Sequence, residues 1–469
     1  MSRTDVWIFV AAPLFWLMLD RLTMGLIDDH LLSSRSLAAI PLLPGIIAEA
    51  PTGFWKTIAA EIAIWFCLCN ALAWLAVRLT TQPLRQSYLA VGTGVFWIAI
   101  ICQAVLDRNN QSDTVVVVPV NQTDQSSDPE ARIRRIGFTQ IGEVPKHLPD
   151  VLIIVLESFR HELVDPDVMP NLAAAADQGL WCRQHFSGGN ATSHGMFSIV
   201  TGMDATWFDT SLRYQPPLYR LFRSAGYEIG FFAGHNDWRK FYMDGFVNPD
   251  LFDEFSTAQQ NRLSSDRESA EKAMRFLDQA GSRSPRLAIL YLYVTHAPYR
   301  SYAADRVFQP AAEDGFPIPY SERMVTRVWN RYKNSARTAD RWIGAMIAEA
   351  SDQVLLVTGD HGESFLEDGT IGHGSKISTQ QNMTPAVLIG PGVARRQINS
   401  PTIHSDFLPT LISAVGIKLS MPDQHHQSIT TIFDGFDLNS IKESTLIQRT
   451  NVTRDYLTER CSPICDPSW

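Results

Sequence analysis

The apolar residues of this chain fall into two regimes. In the first hundred positions they form long stretches. Val6 to Ile27 is interrupted only by Asp20, Arg21 and Thr23, Ile58 to Val77 by Glu61 and Asn70, and Tyr88 to Leu106 by no charge at all. Each is long enough to cross a hydrocarbon core of about 30 Å as a helix. Trp7, Trp16, Trp55 and Trp74 fall mostly near the predicted ends, where amphipathic rings prefer to sit. Leu37 to Ala48, broken by Pro41, Pro44 and Gly45, is too short to span and reads as interfacial. Arg78 and Arg85 flank the connection between the second and third stretches and mark it as cytoplasmic. Three spans then leave everything after Asp107 outside the membrane, whereas a fourth crossing puts it inside. Asp20, Arg21 and Glu61 sit at membrane depth, where ionisable groups are site candidates, although Asp20 and Arg21 can equally pair with each other.

From Asp107 to Asp150 the chain is polar, with a run of Asn, Gln, Ser and Asp from Asn121 to Pro129, and reads as a linker. The second regime begins at Val151. Val151 to Leu156 is a continuous apolar run, and similar short runs recur at Ile229 to Ala233, Leu287 to Val294, Val354 to Val357 and Ala386 to Ile389. Such runs fit strands buried on both faces. Between them lie helix-like segments at Tyr219 to Ala225, Ser265 to Ala280 and Val325 to Glu349, with a late helix at Asp406 to Ala414. The alternation predicts an α/β domain, a mostly parallel sheet sandwiched by helices. The expected organisation is a transmembrane helical region over 1–108, a linker over 109–149, a catalytic domain over 150–417 and a polar tail over 418–469.

Composition narrows the partners. The formal net charge is −9 and no basic stripe is visible, which argues against nucleic acid. Of the six cysteines, Cys67, Cys69 and Cys102 lie in apolar segments and Cys182 stands alone. Cys461 and Cys465 are close enough to pair in an oxidising compartment.

The chemistry gathers where the apolar runs end. After Val354 to Val357 comes Thr358-Gly359-Asp360-His361-Gly362-Glu363, with His373 further on. An adjacent Asp and His offer an oxygen and a nitrogen, half a shell for a divalent cation; a helix cap is the plainer alternative. The first run ends in Glu157, either a further ligand or the partner of Arg160. The segment Gly188-Gly189-Asn190-Ala191-Thr192-Ser193 leads into an amphipathic run. Thr192 therefore stands near a helix N-terminus, as a cap or as a hydroxyl at an anion-binding position. His235, Trp238, Arg239 and His296 follow other strand-like runs. His and Arg side chains suit phosphoryl oxygens, though either histidine alone also suits a structural role.

Taken in order, Glu157-Ser158, Gly188 to Ser193, Thr295-His296-Ala297-Pro298-Tyr299, Gly359 to Ser364 and Gly372-His373-Gly374 resemble the alkaline-phosphatase/sulfatase superfamily. The likeness is greatest to its membrane-anchored branch of lipoteichoic-acid synthases and phosphoglycerol or phosphoethanolamine transferases, and covers roughly residues 150–415. It implies one divalent metal, Mn2+ or Zn2+, held by Glu157, Thr192, Asp360 and His361, with Thr192 as nucleophile. It also implies substrate contacts from His235, Trp238, Arg239, His296 and His373, the first three more tightly spaced than in the family. The sulfatase Cys/Ser-x-Pro-x-Arg motif is absent around Thr192, as are the cysteine pairs common in phosphoethanolamine transferases. The implied protein is a multi-pass enzyme of the cytoplasmic membrane with its catalytic domain outside. It passes a headgroup from a lipid donor to a glycan or glycolipid acceptor. Alternatives of the same fold are a sulfatase or phosphodiesterase-type hydrolase and a non-catalytic lipid-binding regulator.

Overall fold

Among the described residues, Val151 to Leu156 and its apolar counterparts pair into one nine-stranded sheet. The structure, a computed structural model, describes residues 129–420 and 433–446 except positions 237, 240, 259–262, 279–283 and 350–351, together with Trp16, Asp20, Ala63, Ile64 and Cys67. It divides into two units, residues 1–117 with 313–324 and residues 118–312 with 325–469. In the first, 313–324 is irregular chain ending in a 3-10 turn at Glu322–Met324. Apart from the five single residues named, the three expected membrane spans lie outside the described residues. Among the described residues no helix is long and apolar enough to cross a membrane. All that follows concerns the second unit.

In chain order it runs through α1 (Pro129–Phe138), β1 (Gln140–Ile141), β2 (Asp150–Leu156), α2 (Pro170–Gln178), β3 (Leu180–Phe186), α3 (Thr192–Thr201), α4 (Pro217–Ser224), β4 (Glu228–Ala233) and β5 (Glu254–Thr257). There follow α5 (Leu263–Leu277), β6 (Arg286–Leu292), α6 (Val325–Glu349), β7 (Gln353–Gly359), β8 (Ser364–Phe365) and β9 (Ile371–Gly372). The unit closes with β10 (Met383–Ile389), β11 (Arg396–Ile398), β12 (Thr402–Ile403), α7 (Phe407–Ala414) and β13 (Leu419–Ser420).

The large sheet has the order β11-β3-β10-β7-β2-β6-β4-β5, with β12 also beside β3. Only β10 among its described strands runs against its neighbours, so the sheet is mixed but mostly parallel, as expected. Both faces are covered. Val151, Ile153 and Val155 join Phe197 of α3, Phe222 of α4 and Leu408 of α7 in one core. Leu152, Ile154 and Leu156 are equally buried on the opposite face, where α5 packs on β4 and β6 and Phe276 meets Phe232. That is why the central strands read as unbroken apolar runs instead of alternating ones.

Register brings the chemistry together. Leu156, the last residue of β2, pairs with Gly359 of β7 on one side and Leu292 of β6 on the other. The next residues, Glu157, Asp360 and Tyr293, therefore leave the sheet side by side at the carboxyl ends of its central strands, where open α/β sheets collect ligands.

Two boundaries differ from expectation. Residues 129–138 of the expected linker form α1, whose Ile136 is buried, and Arg220 donates to the carbonyls of Ile136 and Thr139. The expected polar tail contributes Phe433, Phe436, Leu438 and Leu446 to the core, and Asp406 accepts the Phe436 N–H at 2.8 Å. These apolar residues are isolated in polar sequence, so no periodicity announces their burial.

The chain leaving β6 is anchored by Asp266, in the first turn of α5, whose carboxylate accepts the Tyr293 N–H at 3.0 and 3.1 Å. Burial outweighs these bonds and pushes the Asp266 pKa up to about 7 from an ordinary 3.8. From about pH 4 to 7 the folded chain thus holds a proton the unfolded chain has lost, and stability falls as pH rises through that window. Asp266→Asn removes the slope. In thermal melts, the midpoint of the wild type relative to the variant should be higher near pH 4.5 than near pH 8; a pH-independent difference contradicts this.

Candidate active site

Thr192 is the first residue of α3, and Ala191 before it provides no side-chain cap. The His194 N–H is taken by the Ala191 carbonyl at 3.0 Å, so it is the N–H groups of Thr192 and Ser193, with the positive end of the helix dipole, that face an anion position. The Thr192 hydroxyl is turned elsewhere, 3.2 and 3.3 Å from the two Glu157 carboxylate oxygens and 3.3 Å from His361 Nε2. Of the two readings left open for this residue, the cap is excluded by geometry. Helix α3 reaches this position because residue 195 is glycine: a Cβ there would stand 1.9 Å from the Asp360 carbonyl oxygen.

Glu157 does not pair with Arg160. Arg160 binds Glu162 and Glu367 instead and lies over the Trp329 ring. Glu157, almost wholly buried, meets His361 Nε2 at 3.2 Å and the Tyr291 hydroxyl. Asp360 is anchored through Oδ1, which accepts the N–H groups of Ser158 (2.9 Å) and His361 (2.8 Å). Its Oδ2 faces Tyr291 Oη at 2.7 Å and His361 Nε2 at 3.4 Å. His361 Nδ1 lies 2.8 Å from the Gly362 carbonyl, an acceptor only, so Nδ1 carries the proton. The Nε2 lone pair then points into the cluster, the orientation a metal-ligating histidine needs.

These four side chains fit a divalent cation. Ligand atoms about 2.0–2.1 Å from a tetrahedral centre lie roughly 3.3 Å from one another. Thr192–Glu157, Thr192–His361, Glu157–His361 and Asp360–His361 lie 3.2, 3.3, 3.2 and 3.4 Å apart. Charge points the same way. Burial, and next the Asp360 charge, hold the Glu157 pKa well above the carboxylate range, with His373 opposing. A cation would relieve that conflict.

His373 borders the cluster. Its Nε2 is 4.0 Å from Glu157 and its ring is 4.1 Å from that of His361; donor atoms of Glu157, His361 and His373 all fall within 4.8 Å of one another. Its Nδ1 is held by Glu363 at 2.7 Å, and Glu363 by Tyr299 at 2.6 Å. Burial works against the Glu363 charge, yet His373, His296 and Tyr299 bring its pKa down to about 2. His296 stands beyond, 5.5 Å from His373 between ring centres, with Nδ1 turned to the Ala297 carbonyl at 2.8 Å. Burial, with His373 adding to it, lowers its pKa to about 4. It is neutral near pH 7.

The expected group of His235, Trp238 and Arg239 divides. His235 and Trp238 are buried and pack on the ring of Tyr291, 5.6 and 5.2 Å away, whose hydroxyl meets Glu157 and Asp360. Arg239 is exposed. Tyr291, Glu363 and Ser158 were not singled out as site residues. Tyr291 carried a faint signal, since a hydroxyl in an otherwise apolar buried strand needs a partner. Ser158 carried none: its φ of 56° places a non-glycine residue in the left-handed region, the kind of backbone strain that gathers at functional sites.

The sulfatase family matches residues 149–417, more than half of this 469-residue chain. The chain belongs to that family. Among curated relatives, an uncharacterized protein of Haemophilus influenzae is 27% identical over 149 residues, 31% of this chain and 25% of its own length. The inner membrane protein YejM of Salmonella typhi is 22% identical over 292 residues, 61% of this chain and 44% of its own. The chain thus spans less than half the length of either. Among solved structures, the integral membrane protein lipooligosaccharide phosphoethanolamine transferase A from Neisseria meningitidis shares the fold, with a TM-score of 0.50 and 19% identity over 76% of this chain and 75% of that one.

Gly195→Ala forces α3 away from the Asp360 turn. It should lower stability by about 1–3 kcal/mol in chemical denaturation and weaken divalent-cation binding measured by titration calorimetry. Wild-type values in both would show that the close approach does not hold the site.

Proposed function

We propose that the protein is a membrane-anchored, metal-dependent transferase acting on the outer side of the cytoplasmic membrane. It moves a phosphoglycerol or phosphoethanolamine group from a phospholipid to a glycan or glycolipid acceptor. The observation that carries this reading is the Thr192 hydroxyl, held 3.2–3.3 Å from Glu157 and His361 at an uncapped helix N-terminus. Support for the membrane setting comes from the apolar stretches before Asp107 and from relatives described as inner or integral membrane proteins.

Glu157, Thr192, Asp360 and His361 would hold the cation. When bound, it supplies the positive charge that lowers the proton affinity of the Thr192 hydroxyl and offsets charge on the phosphoryl oxygens. Thr192 Oγ attacks the headgroup phosphorus in line. The Oγ–P bond forms, the P–O bond to diacylglycerol breaks, and the proton lost by Thr192 ends on the diacylglycerol hydroxyl. The α3 N-terminus, neutral His296, His373 and Arg239 hydrogen-bond the non-bridging oxygens. In the second half, the acceptor hydroxyl displaces Thr192 from phosphorus. Water in that role makes the protein a hydrolase instead. A regulator without catalysis needs none of these donors, and their spacing favours an enzyme.

Thr192→Ala should cut headgroup transfer more than about a thousandfold while sparing the fold and metal content. Mass spectrometry of the wild type incubated with defined phosphatidylglycerol or phosphatidylethanolamine should find a mass increment on Thr192. Unchanged turnover in the variant, or the increment on Ser193, would remove Thr192 from this role.

A further inference from the structure

Behind the Asp360–His361 turn lie two histidines that the proposed chemistry leaves unused. His185, on β3, and His404, opening the 3-10 turn before α7, are fully buried. His404 Nε2 lies 3.2 Å from the Asp360 carbonyl oxygen. His404 Nδ1 lies 2.9 Å from His185 Nε2, and His185 Nδ1 lies 2.9 Å from Thr402 Oγ1.

One set of protons satisfies this chain. The Asp360 carbonyl only accepts, so His404 Nε2 bears its proton, and a neutral ring then leaves Nδ1 as acceptor. His185 must donate from Nε2, and its Nδ1 in turn accepts from the Thr402 hydroxyl, whose alternative acceptor, the Gln184 carbonyl, is more distant at 3.4 Å. Sheet register supports the assembly, since Thr402 of β12 pairs with His185 of β3. Phe407 stacks on His185, 4.6 Å away, and lies tilted against His404 at 5.2 Å. The same Asp360 carbonyl is the atom against which Gly195 of α3 is packed, so it is held between the helix bearing Thr192 and the His404 N–H.

We propose that His404 and His185 are positioning residues, a buried strut of two imidazoles that fixes the Asp360–His361 peptide and so aims both side chains at the cation. The inference rests on the reading of the cluster as a cation site. Hydrogen bonds behind metal ligands typically govern affinity by 10–100-fold, although here the strut acts through the backbone of a ligand instead of its side chain.

The test is titration of the full chain with Mn2+ and Zn2+, alongside thermal melts of the metal-free protein. His404→Phe keeps a ring but loses the N–H, and should bind both cations about 10–100-fold more weakly. His404→Gln places an amide N–H near the lost Nε2–H and should recover most of that loss. His404→Phe binding like the wild type would overturn the proposal. So would Phe and Gln variants weakened alike, which marks a packing role only. If His404→Phe fails to fold, His185→Phe decides: weaker cation binding at an unchanged metal-free melting point supports the strut, and wild-type affinity overturns it. A wild type that binds neither cation overturns the cation site itself, and the strut with it.

Discussion

Three carboxylates, Glu157, Asp360 and Glu363, are buried together at the carboxyl ends of the central strands, and the rest of the structure is arranged around that electrostatic demand. Like charges removed from water are costly unless opposite charge or strong donors accompany them. Glu363 has its compensation in His373 and Tyr299. Asp360 has two backbone N–H groups on one oxygen only. The Glu157 carboxylate meets side-chain partners, among them the hydroxyls of Tyr291 and Thr192 and the His361 ring, and burial drives its pKa upward. The oxygens left over face His361 Nε2 and the hydroxyls of Thr192 and Tyr291. A divalent cation would offset their combined negative charge.

The scaffold spends local regularity to create this arrangement. Pairing of Leu156 with Gly359 and Leu292 sets the residues that follow shoulder to shoulder. Ser158 takes a left-handed conformation so that its N–H reaches Asp360, and Thr295 clasps the Glu157 carbonyl at 2.6 Å. Tyr332 binds the Ser158 carbonyl while accepting the Arg160 N–H. Each device restrains backbone, and backbone restraint is what holds side chains at fixed separations.

Much of this was legible before any coordinates. The doubly covered sheet followed from apolar runs such as Val151 to Leu156. Glu157, Asp360 and His361 were candidate ligands from their places just beyond such runs, and Thr192 joined them only through the family resemblance. What escaped depends on contacts between distant segments. Tyr291 reads as one more core residue until β6 is placed beside β2. His404 and His185, 219 positions apart, meet only once β3 pairs with β12. Phe433 and Leu446 lie in a stretch too polar to suggest burial. Trp238 and His235 read as facing substrate, and their burial against the Tyr291 ring was not legible, because it depends on how the turn after β4 meets β6.

Anomalous diffraction from crystals of the full chain grown with Mn2+ tests the central claim most directly. The account predicts one strong peak bonded to Glu157, Asp360, His361 and the Thr192 hydroxyl. A peak held by His373 and Glu363 without Thr192, or none within reach of those four side chains, would contradict it.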